Sequence, residues 1–463
     1  MKPFLRHLYH YAAYLVGAVV ILMSVIALIL RFAIMPDIDS YKGRIEAGAT
    51  RAIGVPVRIA AIEADWWHIN PRISLRGVTL TPPDQHASLV LSRVDAALSW
   101  LSLAWLEPHL ARLDIYQPSL EIRRDPAGKL YVAGIPINVE GADSPFPDWL
   151  LRQQTVTVSG GRLTWIDEQR AAPPLVLERV NLLIRNRFGH HRFGLTALPP
   201  SAAGRRLDIR GDLQGTSVHD PVAWSGQVYL ASEGASATAL NTWSPWSQSA
   251  VRRSTGDLRT WMSVGGGQIQ GVVGDVSLTD VAVSLADDLP DMAFARVTGR
   301  MGWQRRGPDQ TYYVEKLRFV SADGHTAEPA SVRVTVRPSP AGKLETAKVE
   351  ADSLRLEALT ALSGSLPLPK QAHDWIANIN PRGFVEHMAF DWLGKERFRV
   401  QARFREGGMN ATGGLPGFTG LSGEIDADEA SGSAKLSSQA LHLSYDKVFR
   451  QPLDFTRLDT ELA

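Results

Sequence analysis

The sequence predicts a mostly β protein hung from one N-terminal transmembrane helix, and three observations carry that prediction. Ala12–Leu30 is a run of 19 uncharged residues. At ~1.5 Å per helical residue it matches the ~30 Å hydrocarbon core of a bilayer. From Val55 to the end, short alternating runs bounded by Pro, Gly and Asp recur, which is the pattern of half-buried strands. Helical spacing is confined to a few short stretches between them.

The apolar run comes first. A cleaved signal peptide fits it poorly: an h-region is usually ~7–15 residues, and no small-x-small site precedes Arg31. Lys2 and Arg6 lie before the run; Arg31, Lys42, Arg44 and Arg51 lie after it. That count alone favours a cytoplasmic C-terminal side, but long domains translocate largely regardless of it. Pro36 is expected to break the helix. Ile38, Tyr41, Ile45, Ala49 and Ala52 then recur at spacings of three and four among charged residues. They predict a short amphipathic helix, lying at the membrane surface or capping the sheet that follows.

Strand texture begins with Ile73–Leu75, Val78–Leu80, Leu89–Leu98, Leu113–Ile115 and Leu120–Ile122. It continues through Thr155–Val158, Leu175–Ile184, Ser225–Leu230, Val276–Leu285, Ala293–Trp303, Ser331–Val336, Phe398–Phe404 and Ala434–Leu443. Helices are expected at Ala239–Trp246, Asp257–Val264, Leu354–Leu362 and Lys370–Asn378. One pattern recurs, an apolar pair with two other residues between them: Leu75-Arg-Gly-Val78, Leu177-Glu-Arg-Val180, Leu278-Thr-Asp-Val281 and Phe455-Thr-Arg-Leu458. It breaks the period of two, so it predicts a bulge or strand corner in a repeated β unit. The strand-like end at Leu458–Ala463 would leave an open edge, which predicts a longer chain or a partner over it.

Composition narrows the chemistry. The 463 residues carry 49 basic and 48 acidic side chains and no cysteine. The balance offers no electrostatic footprint for nucleic acid. Thiolate catalysis, disulfides and cysteine-based zinc sites are excluded. No His-Glu-x-x-His, Gly-x-Ser-x-Gly or P-loop is present. Gly265–Gly267 reads as a turn, His190–His191 as a solvated loop, and Asp287–Asp288 as a turn. Trp66–Trp67, Trp100 and Trp105 cluster early; Trp243, Trp246 and Trp261 lie centrally. Trp66–Trp67 fit an interfacial belt; the others read as core packing. No catalytic residue, cofactor or metal ligand is expected, and the chain is not expected to be an enzyme.

A sheet with one apolar face must bury it. Two closed sheets would do so, and so would a groove filled by acyl chains, since each buried CH₂ is worth ~0.8 kcal/mol. Periodicity leaves both open. The opening residues are Tyr41-Lys-Gly-Arg-Ile-Glu46, Gly54-Val-Pro-Val-Arg-Ile59, Ile62-Glu-Ala-Asp-Trp66 and Pro71-Arg-Ile-Ser-Leu75. Later come Gly256-Asp-Leu-Arg-Thr-Trp261, Thr298-Gly-Arg300, Leu366-Pro-Leu-Pro369, Pro381-Arg-Gly383, Leu415-Pro-Gly-Phe418 and Gln451-Pro-Leu453. Taken in order, these resemble the YhdP family of AsmA-like bacterial envelope proteins over nearly the whole chain. The resemblance implies the N-terminal part of a longer protein in the inner membrane of a Gram-negative cell. Its N-terminus would be cytoplasmic and its bulk periplasmic. It also implies an elongated, curved antiparallel β-groove of the bridge-like kind, moving phospholipid toward the outer membrane, and no catalytic residues.

On that basis five regions are expected: an anchor over 1–35, an amphipathic helix and sheet entrance over 36–65, a first β-groove region over 66–238, a helical insertion over 239–264, and a second groove region over 265–463. Candidate groove-lining residues are Leu75, Leu91, Leu113, Ile115, Leu120, Ile122, Val156 and Val158. Candidates for the place where lipid enters from the membrane are Ile38, Tyr41, Ile45, Trp66 and Trp67. Expected partners are phospholipids, the inner membrane and a further membrane protein of either envelope membrane, with no nucleic acid.

Overall fold

The computed structural model describes residues 2–53, 55–81, 89–100, 102, 109–137, 146–217, 220–243, 251–286, 288–322, 324, 326, 329–339, 342–366, 370–394, 397–412, 414–445 and 447–463. Twenty-three strands dominate these residues, with a long N-terminal helix and a few short ones. The fold is therefore mostly β, as the alternation required. The chain divides into two compact units, residues 1–199 with 210–224, and residues 200–209 with 225–463.

The first unit opens with α1 (Lys2–Ile29). From Tyr14 to Leu22 its apolar side chains are exposed on every face, uncovered by any of the described residues. The helix is long and apolar enough to cross a membrane. Pro36 does not end the helix as expected. The ladder widens to a π-turn over Leu30–Ile34, where the Met35 N–H reaches the Leu30 carbonyl. It then tightens to a 3₁₀ segment over Met35–Tyr41, with Asp37 off the helical conformation (φ −116°, ψ 32°). Proline removes one donor and crowds the preceding turn; the local change of winding absorbs both.

α2 (Lys42–Ile53) follows and lies along the free edge of β1 (Val57–Trp67). Glu46 Oε1 accepts from the Ile59 N–H at 2.7 Å, Thr50 Oγ1 from the Val57 N–H at 3.0 Å, and Lys42 Nζ donates to the Ala60 carbonyl at 3.0 Å. Ile45 and Ala49 pack on the core. Of the two readings of this amphipathic segment, the structure shows the cap: its apolar face meets protein, and its polar side chains close an edge that would otherwise invite pairing. Glu46→Ala leaves a buried edge N–H unpaired. Thermal denaturation of the variant should show a loss of about 1–2 kcal/mol, with Glu46→Gln recovering most of it.

β1, β2 (Asn70–Leu80), β3 (Leu89–Leu98) and β4 (Leu110–Tyr116) form an antiparallel meander. β5 (Ser119–Arg124) leads through β6 (Leu130–Val132), β7 (Ile135–Ile137) and the short helix α3 (Phe146–Arg152) to β8 (Thr155–Asp167). β8 then runs parallel to both β4 and β5, a departure from the all-antiparallel expectation. The long connection explains it: a parallel neighbour needs a crossover rather than a hairpin. β4 and β5 act as one strand broken at Gln117-Pro118, opposite a Gly160 at φ 64° in β8. β9 (Ala172–Arg187) and β10 (His190–Leu198) continue antiparallel, and β11 (Arg206–Gln214) follows.

The second unit is one uninterrupted antiparallel meander, in which every strand pairs with the next: β12 (Ser225–Ser236), β13 (Val251–Gly265), β14 (Gln268–Val283), β15 (Met292–Arg306), β16 (Asp309–Ser321), β17 (Ala330–Pro338), β18 (Leu344–Arg355), β19 (Arg382–Trp392), β20 (Phe398–Met409), β21 (Gly417–Asp428), β22 (Gly432–Ser444) and β23 (Leu453–Leu462). Short helices α4 (Ala237–Asn241), α5 (Leu356–Ser363) and α6 (Lys370–Ile379) sit in the connections. The helix expected over Asp257–Val264 is instead the middle of β13, so of the helical insertion expected over 239–264 the part from Val251 on is strand, and α4 is the helix described ahead of it. Leu258, Thr260, Met262 and Val264 alternate with Asp257, Arg259, Trp261 and Ser263 there, a period of two that a helix cannot bury. Residues 244–250, including Trp246, lie outside the described residues, as does Trp105.

The two margins of this meander differ. On one side the links after β13, β15, β17, β19 and β21 have two to five residues; on the other, the links after β12, β14, β16, β18, β20 and β22 have seven or more. Along the second margin runs a row of bulges. Gly234, Asp280, Lys316, Ser353, Glu406 and Ala440 take φ of 60°, 50°, 51°, 58°, 53° and 56°, one in every second strand. Several are held by a side chain of the following strand. The N–H of Gly234 meets Asp257 Oδ1 at 2.8 Å, that of Lys316 meets Ser331 Oγ at 3.1 Å, and that of Glu406 meets Ser422 Oγ at 3.0 Å. Opposite them stand glycines: a Cβ on Gly383 (φ +104°) would lie 2.6 Å from the Glu406 carbonyl oxygen. Each bulge adds local twist and bend, so the row is a crease repeated down the sheet. Lys316→Gly should raise stability by roughly 0.5–1 kcal/mol by relieving the left-handed backbone, and Gly383→Ala should lower it by ~2 kcal/mol or more through strain. Urea titration distinguishes the two signs.

Candidate functional site

Register pairing decides which side chains share a face. In the second unit the directly paired residues Leu230, Thr260, Gly274, Met301, Val314, Val332, Ala351, Met388, Ala402, Ile425, Ala434 and Leu462 form one row across all twelve strands. Two residues along, on the same face, runs a second row: Val228, Met262, Val272, Trp303, Tyr312, Val334, Val349, Phe390, Val400, Ala427 and Gly432. No member of either row is charged. At ~4.8 Å per strand the longer row runs for about 50 Å, beyond the ~30 Å core of a bilayer.

These rows are not a closed core. Most of their side chains are half-buried, and Met301, Tyr312 and Leu462 are exposed. Among the described residues of this unit, the buried hydrophobic ones are Ala203, Ala235, Val281, Ala282, Ala351, Ile379, Val385 and Leu441, of which only Ala351 lies in either row.

The opposite face is charged and laced across strands. Arg300 pairs with Asp275 at 2.6 Å, Arg337 with Asp309 at 2.6 Å, Arg399 with Asp426 at 2.9 Å, and Arg403 with Glu424 at 2.6 Å. The guanidinium beside each of Asp275, Asp309 and Asp426 holds its carboxyl below the usual carboxylate range. Such exposed pairs contribute little stability each; they keep this face wet. A concavity of about 850 Å³ on this side is walled by Arg333, Glu350, Asp352, His387, Arg403 and Glu424, with Val332 and Met388 in its lining. Its lining mixes these paired charges with Val314, Ala402 and Ile425, and the charges would have to lose water to admit an acyl chain.

The first unit repeats the pattern over seven strands. Ile62, Leu75, Val94, Ile115, Val158, Leu182 and Leu195 form one row; Ala64, Ile73, Ala96, Leu113, Val156, Ile184 and Phe193 form the next. Leu91 pairs with Val78, Leu120 with Leu163, and Ile122 with Trp165. The structure thus gathers Leu75, Ile115 and Val158 in one row and Leu113 and Val156 in its neighbour. The last two, however, are 9 % and 3 % exposed, in a cluster that Ile45 and Ala49 of α2 and Trp149 and Leu150 of α3 close over. They belong to a sealed core rather than an open wall, because the helices cover this end of the sheet.

The residues expected where lipid enters are also placed. Ile38, Tyr41 and Ile45 are half-buried, and the segment that carries them packs along β1. Trp66 and Trp67 sit at the far end of β1, paired with Pro71 and Asn70. Both are half-buried; Arg112 lies over the Trp67 ring at 5.7 Å. The apolar residue this hairpin exposes is Ile69, 72 % accessible. A lone isoleucine in a turn has no periodicity to reveal it.

Two buried polar sites in this unit are structural. The Asp167 side chain is fully buried and accepts from Arg124 Nε at 2.9 Å; Arg124 first, against the cost of burial, holds its carboxyl below the usual range. His191, expected in a solvated loop, is buried instead. Its Nδ1 lies 2.8 Å from Asn186 Oδ1 and its Nε2 2.9 Å from the Gly215 carbonyl, with the ring stacked on Trp224 at 5.2 Å. Both ring nitrogens are engaged within the protein. Among the described residues no group of three or more His, Asp or Glu could hold a metal ion.

A family model described as the YhdP protein matches residues 1–463. The chain belongs to the YhdP family. The match covers the anchor helix and both units of this YhdP-family chain, so the two sets of rows lie within a single family assignment. Searches of curated proteins and of solved structures each returned no match.

Proposed function

We propose that this YhdP-family chain is a lipid-transfer protein, anchored by α1 in the inner membrane with its N-terminus cytoplasmic and its β units periplasmic. It carries phospholipid along the apolar face toward the outer membrane and performs no chemistry of its own. The carrying observation is the pair of uncharged rows, one across all twelve strands and one across eleven, with most of their side chains left half-buried. A contiguous apolar surface of that extent exceeds the few hundred Å² normal for a soluble protein. An acyl chain of about fifteen methylenes gains on the order of 10 kcal/mol by leaving water for such a surface. The rows run about 50 Å at ~4.8 Å per strand, room for several lipids in file. Phospholipids and the inner membrane are the expected partners, with a protein of either envelope membrane at the far end.

The sealed cluster around Leu113 and Val156 favours a second reading for the first unit, an envelope scaffold of closed β structure. The test is the lipid content of the full chain, extracted in mild detergent and analysed by mass spectrometry. The proposal expects more than one phospholipid per chain, retained through purification. A chain that purifies lipid-free, and takes up none from phospholipid vesicles, supports the scaffold.

A further inference from the structure

We propose that Arg305, on the apolar face of the second unit at its tight-turn margin, is a contact for the phosphate of a lipid whose tails lie on the neighbouring rows. The inference rests on the lipid-carrying reading and adds a headgroup site to it. Arg305 stands two residues beyond Trp303 in β15, so both side chains lie on one face. It opens a third row, paired with Gln310 and continuing through Val336, Ala347, Trp392 and Phe398. In the three rows together it is the one charged residue.

Its surroundings differ from those of the arginines on the charged face. Among the described residues Arg305 has no carboxylate partner. One guanidinium nitrogen, Nη1, donates to Gln268 Oε1 at 3.1 Å, and the group lies over the Trp303 ring at 5.5 Å. The Tyr312 hydroxyl donates to Gln310 Oε1 at 2.9 Å. A guanidinium carries five N–H donors, so most remain for an anion. Its planar fork matches two phosphate oxygens, and the indole face fixes its plane. A charge placed beside half-buried apolar rows, without a carboxylate partner among the described residues, suits an anion from outside. A phosphodiester at the margin, with tails across Trp303 and Tyr312, supplies both. Inorganic phosphate has the same chemistry but no tails, and the test separates the two.

The experiment uses the full detergent-solubilised chain with a photo-crosslinking residue at Val332, mixed with vesicles containing phosphatidylglycerol and diacylglycerol. The ratio of captured phospholipid to captured diacylglycerol is read by mass spectrometry. Arg305→Gln should lower that ratio about ten-fold, the loss of roughly one charge-assisted hydrogen-bonding contact. Arg305→Lys should fall between, and millimolar inorganic phosphate should not displace the lipid. An unchanged ratio in Arg305→Gln, with Val332 still capturing lipid, overturns the phosphate contact and leaves the apolar path standing. Displacement by inorganic phosphate overturns the lipid assignment of the site. Absence of any capture at Val332 in the parent chain removes the lipid-carrying reading and this site with it.

Discussion

Val332→Asp should leave the protein folded and abolish lipid carriage, whereas Val156→Asp should unfold the first unit. Both valines lie in uncharged rows and on strands; what differs is what covers them. Val156 is 3 % exposed, inside a cluster that two helices seal. A carboxylate there has no partner and no water, and costs several kcal/mol, on the order of the domain's whole stability margin. Val332 is half-buried and lies outside the buried hydrophobic residues described for its unit, so a carboxylate there keeps part of its hydration and costs the fold about 1 kcal/mol. For a passing acyl chain the same carboxylate is a barrier, because the tail would have to desolvate it. Circular dichroism reads the first effect, and phospholipid uptake from vesicles the second. Equal destabilisation by the two substitutions would mean that the Val332 face is as closed as the core.

Arg124→Met should cost up to about 3 kcal/mol, because it removes the nearest partner of the buried Asp167 carboxylate and leaves it only the longer contact to Arg170 at 3.9 Å. The double change Arg124→Met with Asp167→Leu should recover much of that loss, since two apolar groups can replace a buried pair at little net cost. The pH dependence gives a second signature. In the parent chain Asp167 titrates below its unfolded value of ~3.9, because Arg124 favours the carboxylate. The stability it contributes is present above about pH 4 and is lost as pH falls through the lower native value. Asp65, Asp275, Asp309 and Asp426 shift the same way through their own arginine partners, so acid unfolding should be cooperative below about pH 4. In Arg124→Met the largest of the lowering contacts is gone while burial and the weaker Arg170 contact remain, so the Asp167 carboxyl should rise toward its unfolded value and the stability difference from the parent should shrink as pH falls through that range.

The alternation of strand residues was readable because a sheet with one wet and one apolar face writes a period of two into the chain. Leu75, Ile115, Val158, Leu113 and Val156 fall on apolar rows for that reason. What alternation could not supply was their cover. Leu113 and Val156 read like Leu75 and Ile115, yet they are buried in a cluster on which Trp149 and Leu150 pack, from a helix that lies far after Leu113 and just ahead of Val156. The bulge row shows the same limit from another side. Leu75–Val78, Leu177–Val180 and Leu278–Val281 stand out because both ends are large and apolar, and the third residue of each, Gly77, Arg179 and Asp280, takes positive φ. Ser232–Ala235, Phe404–Gly407 and Ser438–Leu441 hold the same geometry at Gly234, Glu406 and Ala440, but at least one end of each is small, so spacing alone passes over them. Asp257–Val264 was misread because Leu258 with Trp261 and Met262 also satisfies a helical spacing; the cross-strand partners Val276, Val273 and Val272 settle it. Arg305 was invisible as a site because only the register places it among uncharged neighbours.

The most direct measurement is a photo-crosslinking scan along β17 in the intact membrane-anchored protein, one position at a time from Ser331 to Val336. Val332, Val334 and Val336 lie on the apolar rows, and Ser331, Arg333 and Thr335 on the charged face. The account predicts lipid adducts at the three valines and none at the three positions between them. Capture at all six positions, or at none, would contradict it.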